Sequence, residues 1–253
     1  MAQSGRILSW YFSKGISAVN FLISAFQQWI AKLDKTFIQT GHYQMIFEGL
    51  GNTVKITIGA LIIGVLIGMV IAIVKYLAED APGMKVLASL CDTYVTVIRG
   101  IPVTVLLLIF YYLIMRSSTN GVLVATITFG INSGAYMAEL IRSGINAVDW
   151  GQMEAGRCLG LSKLQTMTKI ILPQAVRYVL PAVGNEFIAL LKETSVAGYV
   201  AVVDLTRAGN LVRNNTFDAF NPLMVVALAY LVMVIGLTAL LSKAEKHLAK
   251  ERK

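Results

Sequence analysis

With 253 residues, 56% of them hydrophobic and only 14% charged, the chain is too apolar for a water-soluble domain, which carries nearer a quarter charged residues. Its mean hydropathy of +0.68 points to an all-α integral membrane protein. The net charge of +8 does not argue for nucleic acid, because Lys and Arg gather on the cytoplasmic loops of such proteins.

Residues 7–38 repeat apolar groups at helical spacing: Leu8, Phe12, Val19, Leu22, Phe26, Trp29, Leu33 and Phe37. Ser13, Lys14, Asn20, Gln27 and Gln28 fall largely on the other side. That pattern predicts an amphipathic helix lying among the lipid headgroups. The alternative is an additional span between Lys14 and Lys32, crossing over 15–31. It would be short against the roughly 20 residues required, and Asn20, Gln27 and Gln28 interrupt it. No compact apolar core followed by a small-residue cleavage site occurs near the start, so no cleaved signal peptide is expected.

Five spans are expected after it. The first, 53–76, is uncharged between Lys55 and Lys75, and its Gly59, Gly64 and Gly68 would let another helix pack closely. The second, 86–115, is longer than a bilayer requires. It is interrupted where Pro102 has no N–H to give the helical ladder. The third, 117–142, sets Asn132, Tyr136 and Glu139 on one face. The fourth, 168–191, contains Pro173, Pro181, Gly184, Asn185 and Glu186. It reads as a loosened helix enclosed by protein rather than facing lipid. A polar stretch separates it from the fifth, 219–242, and from a basic tail.

Orientation follows from the cations. With the N-terminus outside, the cytoplasmic set is Lys75, Lys85, Arg142, Arg157, Lys163, Lys169 and the tail. The external set is Arg116, Lys192, Arg207 and Arg213. The bias predicts an outside N-terminus and a cytoplasmic C-terminus, with the four cations before residue 36 counting against it.

Cys91 and Cys158 have neither CxxC spacing nor a nearby His cluster. They read as small buried hydrophobes rather than a disulfide or metal site. His42 and His247 receive no role. No GxxxxGK[ST], HExxH or GxSxG motif occurs, so nothing points to an enzyme, and the chain does not bind ATP through a phosphate loop of its own.

The polar stretch 151–173, GQMEAGRCLGLSKLQTMTKIILP, lies between apolar segments. Asp149 or the Gly151-Gln152 turn can start a short helix, with Glu154 at the positive end of its dipole. Ala155 and Gly156 are small enough for another protein to approach. Gly160 can end the helix and Ser162 can cap the next.

Glu154, Ala155, Gly156, Gly160, Ile170, Leu172 and Pro173 fall in the order of the EAA loop, and the segment resembles that loop in ABC importer permeases. Three further runs, RGIPVTVLL, AYMAELIRSGI and GNEFIALLKETS, look like the polar amino-acid branch of that family. Departures are Gly156 in place of a second Ala, Asp149 where many members have Pro, and Ile101 where Thr is common. Gly156 costs the helix about 1 kcal/mol relative to Ala.

The resemblance implies a type I importer permease fold: an interfacial segment (1–48), a transmembrane domain (49–247) and a cytoplasmic tail (248–253). It also implies that the loop, at Gln152, Glu154, Ala155, Gly156, Gly160 and Leu161, is a coupling helix seated in a cytoplasmic ATP-hydrolysing subunit, which binds ATP and Mg. The remaining partners would be an extracytoplasmic amino-acid-binding protein and a second permease copy or a homologue.

Polar groups inside a bilayer are costly, so Arg99, Asn132, Tyr136, Glu139, Asn185 and Glu186 are candidates for a substrate path. Each has a structural alternative. Arg99 shares a face with Asp92 and can pair with it. Glu139 can pair locally with Arg142, Asn185 can hydrogen-bond between helices, and Glu186 can pair with Arg99. An anionic Glu186 in the path would suit an amino group or a cationic side chain. Competing functions are a permease for another small polar solute, a stand-alone secondary transporter or channel, and a membrane scaffold.

Overall fold

The computed structural model describes residues 20, 21, 23, 24 and 26–250, with side chains to residue 246; among them there is no strand. The helix expected over 7–38 lies partly outside the described residues. Its continuous described portion, α1 (26–33), runs into a π-helical turn, Asp34–Gln39. The later helices are α2 (Tyr43–Ala78), α3 (Lys85–Gly100), α4 (Val103–Ile109), α5 (Gly121–Asn146), α6 (Gly151–Cys158), α7 (Lys163–Thr166), α8 (Leu172–Glu193), α9 (Leu205–Thr216) and α10 (Phe220–Lys250). The bundle core joins Ile56 and Ala60 of α2, Leu107 of α4, Phe129 of α5 and Leu190 of α8.

Helices α2 and α5 form the centre, meshed through glycines of both. A Cβ on Gly64 would lie 2.8 Å from Ser133 Oγ, and one on Gly68 2.6 Å from Met137 Cβ. In return Gly130 and Gly134 of α5 take Ile63 and Ile67 of α2, at 2.7 and 2.8 Å from such a Cβ. The glycines of 53–76 therefore do bring a second helix close. That helix is α5, which α2 begins ten residues earlier than expected in order to overlap α9: Gly49 abuts the Asp204 carbonyl and Ala208.

The expected span 86–115 is not one helix. It turns by 105° between α3 and α4. Proline disfavours the α conformation at the residue before it, and Ile101 is extended with ψ 130° while Pro102 starts α4. Conversely, the loosening expected at Pro181 and Gly184 is absent, because α8 runs unbroken through both. One missing N–H removes a single ladder bond, and packing against α5 and α10 holds the helix; Gly184 accepts Leu241 of α10.

Helices α2, α5 and α10 are each long and apolar enough to cross a membrane, and the bent α3–α4 pair makes a fourth candidate. Helix α8 carries Gln174, Arg177, Asn185 and Glu186 and does not meet that test alone. The polar stretch before α10 is itself largely helical: a 3-10 turn, Thr194–Val200, and then α9, whose N-cap Asp204 accepts the Thr206 and Arg207 N–H groups.

Candidate functional site

The loop between α5 and α8 is fixed from both sides by its own backbone chemistry. Asp149 Oδ1 accepts the Gly151 N–H at 2.7 Å, at the start of α6. At its far end Gly160 takes φ +84°. The Leu161 N–H donates to the Gly156 carbonyl (3.1 Å) and the Gly160 N–H to that of Arg157 (3.0 Å), the paired bonds of a Schellman stop. Ser162 then caps α7 in a capping box with Gln165. Arg157 Nη1 reaches forward to the Leu161 carbonyl, 2.9 Å, closing the turn.

Two residues anchor α6. Met153 packs with Val148, Met167, Ile171 and Ala175. Gly156 is buried, and a Cβ there would overlap Thr166 Cγ2. This corrects the expectation that Gly156 belongs to an outward surface: the close approach it allows is by α7 of the same chain. Gln152, Glu154, Ala155 and Gly160 are exposed, and Leu161 is half-buried. Beside them stand two residues not singled out from sequence, Trp150 (68% exposed) and Leu159 (80%). Apolar residues left uncovered on a charged loop were the signal available for both.

The second group lies where α3, α5 and α8 meet. The Arg99 guanidinium sits over the Tyr136 ring, 5.1 Å from its centroid. Ser133, one turn before Tyr136, donates to Glu186 Oε1 at 3.2 Å across α5 and α8. Arg99 lies close enough to act electrostatically on Glu186 and on Glu139. Tyr94 OH donates to the Ile131 carbonyl at 2.6 Å, seating α3 on α5.

Arg99, Tyr136 and Glu186 therefore come together around Ser133. Glu139 pairs with Arg142 at 2.8 Å, the local ion pair allowed for above. Asp92 is not the partner of Arg99; it pairs with Lys75. Asn132 is buried, 3% exposed, beside the cluster rather than across from Glu186. Asn185 is exposed, one residue and so about 100° round α8 from Glu186. Ser133 was missed because a serine in an apolar run is common; only the position of α8 makes it a partner.

The arrangement offers an exposed cation stacked on a tyrosine ring, a half-buried carboxylate held by a buried serine, and a rigid exposed helix at one end. That suits binding and movement of a polar solute rather than bond-making chemistry. The family profile described as binding-protein-dependent transport system inner membrane component matches residues 64–251. GlnP of Rickettsia prowazekii (strain Madrid E), assigned by name to glutamine transport, is 35% identical over 206 residues, which are 80% of this chain and 92% of that one. The arginine transport system permease protein ArtQ of Bacillus subtilis (strain 168) is 33% identical over 206 residues, again 80% and 92%. The crystal structure of an amino acid ABC transporter with histidines superposes with a TM-score of 0.75 at 38% identity, over 83% of this chain and 96% of that one. The chain belongs to the family of inner membrane components of binding-protein-dependent transport systems.

Proposed function

We propose that the chain is the membrane-spanning subunit of an ATP-driven importer of polar amino acids. The observation that carries this is α6: a short helix with rigid stops at both ends, anchored by Met153 and Gly156, that leaves Gln152, Glu154, Ala155 and Leu159 uncovered. A helix so held transmits a push instead of absorbing it. The relatives named for glutamine and arginine transport support an amino acid as cargo.

In this reading α2, the α3–α4 pair, α5, α8 and α10 are the five spans, and α1 rests among the external headgroups with Phe26 and Ile30 towards lipid. The end that carries α6 faces the cytoplasm. There Gln152, Glu154, Ala155, Gly160 and Leu161 meet an ATPase subunit, which supplies ATP and Mg, and Gly156 supports them from beneath. A binding protein delivers the amino acid at the opposite end. A second permease copy or a homologue completes the path. Arg99, Tyr136 and Glu186 line it, with the buried Ser133 and Asn132 behind them, and the carboxylate of Glu186 suits the amino group or a cationic side chain.

Reconstitution with the ATPase subunit and binding protein tests the reading through amino-acid-dependent ATP hydrolysis. Glu154→Lys should abolish the stimulated rate while the protein still inserts; an unchanged rate removes the docking role. Glu186→Gln should lower uptake about tenfold, the scale of one hydrogen bond to a charged group at about 1.5 kcal/mol. Glu139→Gln should do less. Equal small effects would make Glu186 structural.

A further inference from the structure

The loop around α6 is continuous in sequence with α5 and α8, so any displacement of it reaches those helices through the backbone. The turn between α2 and α3 is more than 80 residues away in sequence, yet it is tied to the same loop across space. Lys163, the first residue of α7, extends its Nζ to Glu79 Oε2 (3.0 Å) and Asp80 Oδ2 (2.8 Å). The same ammonium lies over the Tyr76 ring, 5.2 Å from the centroid, and Tyr76 OH points back at the Lys163 carbonyl, 3.4 Å away. The backbone at this point is set by the Ser162–Gln165 capping box, so the side chain starts from a fixed base.

What lies beyond the turn gives the tie a consequence. After the short 3-10 turn Pro82–Met84, α3 begins at Lys85, pairs with α2 through Asp92 and Lys75, and ends with Arg99 over Tyr136. Helix α3 is separated from the core-bound α4 by the 105° bend, so a tilt of α3 about its Tyr94 seat on α5 need not carry α4 along. A pull on Glu79 and Asp80 is a pull on the near end of the helix whose far end holds Arg99.

We infer that Lys163 is a positioning residue, a latch through which movement of the coupling loop is delivered to the α2–α3 turn and along α3 to Arg99. This rests on the docking role of α6. An isolated exposed ion pair is weak; here two carboxylates, a ring and a tyrosine hydroxyl converge on one residue. The Asp80 hydrogen bond foremost holds the Lys163 ammonium above the usual lysine range, against its partial burial. A latch that must release in each cycle is better weak than strong. Tyr76 also packs against the Met153–Met167 cluster, so losing the charge leaves the apolar seat of the loop in place.

The test uses the full chain reconstituted with its ATPase and binding protein, carrying Cys91→Ser so that Cys158, exposed on α6, is the one thiol of this subunit. Two quantities are read: the rate of maleimide labelling at Cys158 with and without the ATPase, and the amino acid moved per ATP hydrolysed. Lys163→Gln should leave Cys158 protected and lower transport per ATP by about fivefold, the scale of an exposed charge network. Lys163→Arg should retain most of the coupling. The reversed set Lys163→Glu with Glu79→Gln and Asp80→Lys should restore it.

Normal coupling in Lys163→Gln overturns the latch while the docking role stands. A loss that charge reversal does not repair also overturns it. So does a loss of Cys158 protection in Lys163→Gln, since Lys163 would then be a docking contact. Failure of the ATPase to protect Cys158 in the unsubstituted chain instead removes the docking reading, and the latch with it.

Discussion

Gly156 and Gly160 stand four residues apart in one loop and are needed for opposite reasons. Gly160 has open space around it but a positive φ, so its requirement is conformational. Gly160→Val should cost about 1–2 kcal/mol and unravel the stop, whereas Gly160→Asn should be better tolerated. The thermal midpoint in detergent and the stimulated ATPase rate check both. Gly156 has ordinary helical angles but no room, because Thr166 and Ile170 press on it. Gly156→Ala should therefore lower stability by about 1–3 kcal/mol by overpacking, and adding Thr166→Ala should recover most of that loss. The role of Gly160 was legible in the sequence, since a glycine before a Ser-x-x-Gln cap is a local signal. The direction of Gly156 was not, because which face of a two-turn helix turns inward is decided by residues ten places further on.

At the level of elements, α1 shows how a segment that reads as lipid-bound is also tied to protein. Trp29 donates to Asn221 Oδ1 at 2.8 Å and Lys32 pairs with Asp218 at 3.2 Å, joining α1 to the first turn of α10 and the turn just before it. Burial works against the charge of Asp218, but the hydrogen bonds from Asn221 and Lys32 outweigh it and hold its carboxyl below the ordinary value of 3.8. A carboxylate with a depressed folded pKa contributes its stabilisation fully above the unfolded value and loses it only as pH falls through the lowered one. The emission of Trp29, with Trp10 and Trp150 replaced by Phe, should thus stay constant from pH 8 to about pH 5 and shift only in stronger acid. Asp218→Asn should show the shifted emission throughout. The amphipathic pattern of α1 was readable from its spacing; its partners, some 190 residues away, were not. The same limit applies to α8, where a proline and a glycine inside one helix suggested a break that packing against α5 and α10 prevents.

For the molecule as a whole, orientation and docking can be read from one thiol. Cys158 should react with an impermeant maleimide only in inside-out vesicles, and bound ATPase should slow that reaction. Labelling from the outer face would reverse the topology drawn from the cations. Fold class and the polar candidates were visible in composition and in four motifs. The junction of Arg99, Tyr136, Ser133 and Glu186 depended on how α3, α5 and α8 meet.

The meshed glycines of α2 and α5 carry one further consequence. Two helices whose backbones interlock so closely cannot slide or twist past each other without collision, so this pair is the keel of the subunit and the rest of the bundle is its rigging. Spin labels on the lipid sides of α2 and α5 should keep one separation through an entire ATP cycle, while a label on α3 changes its distance to either.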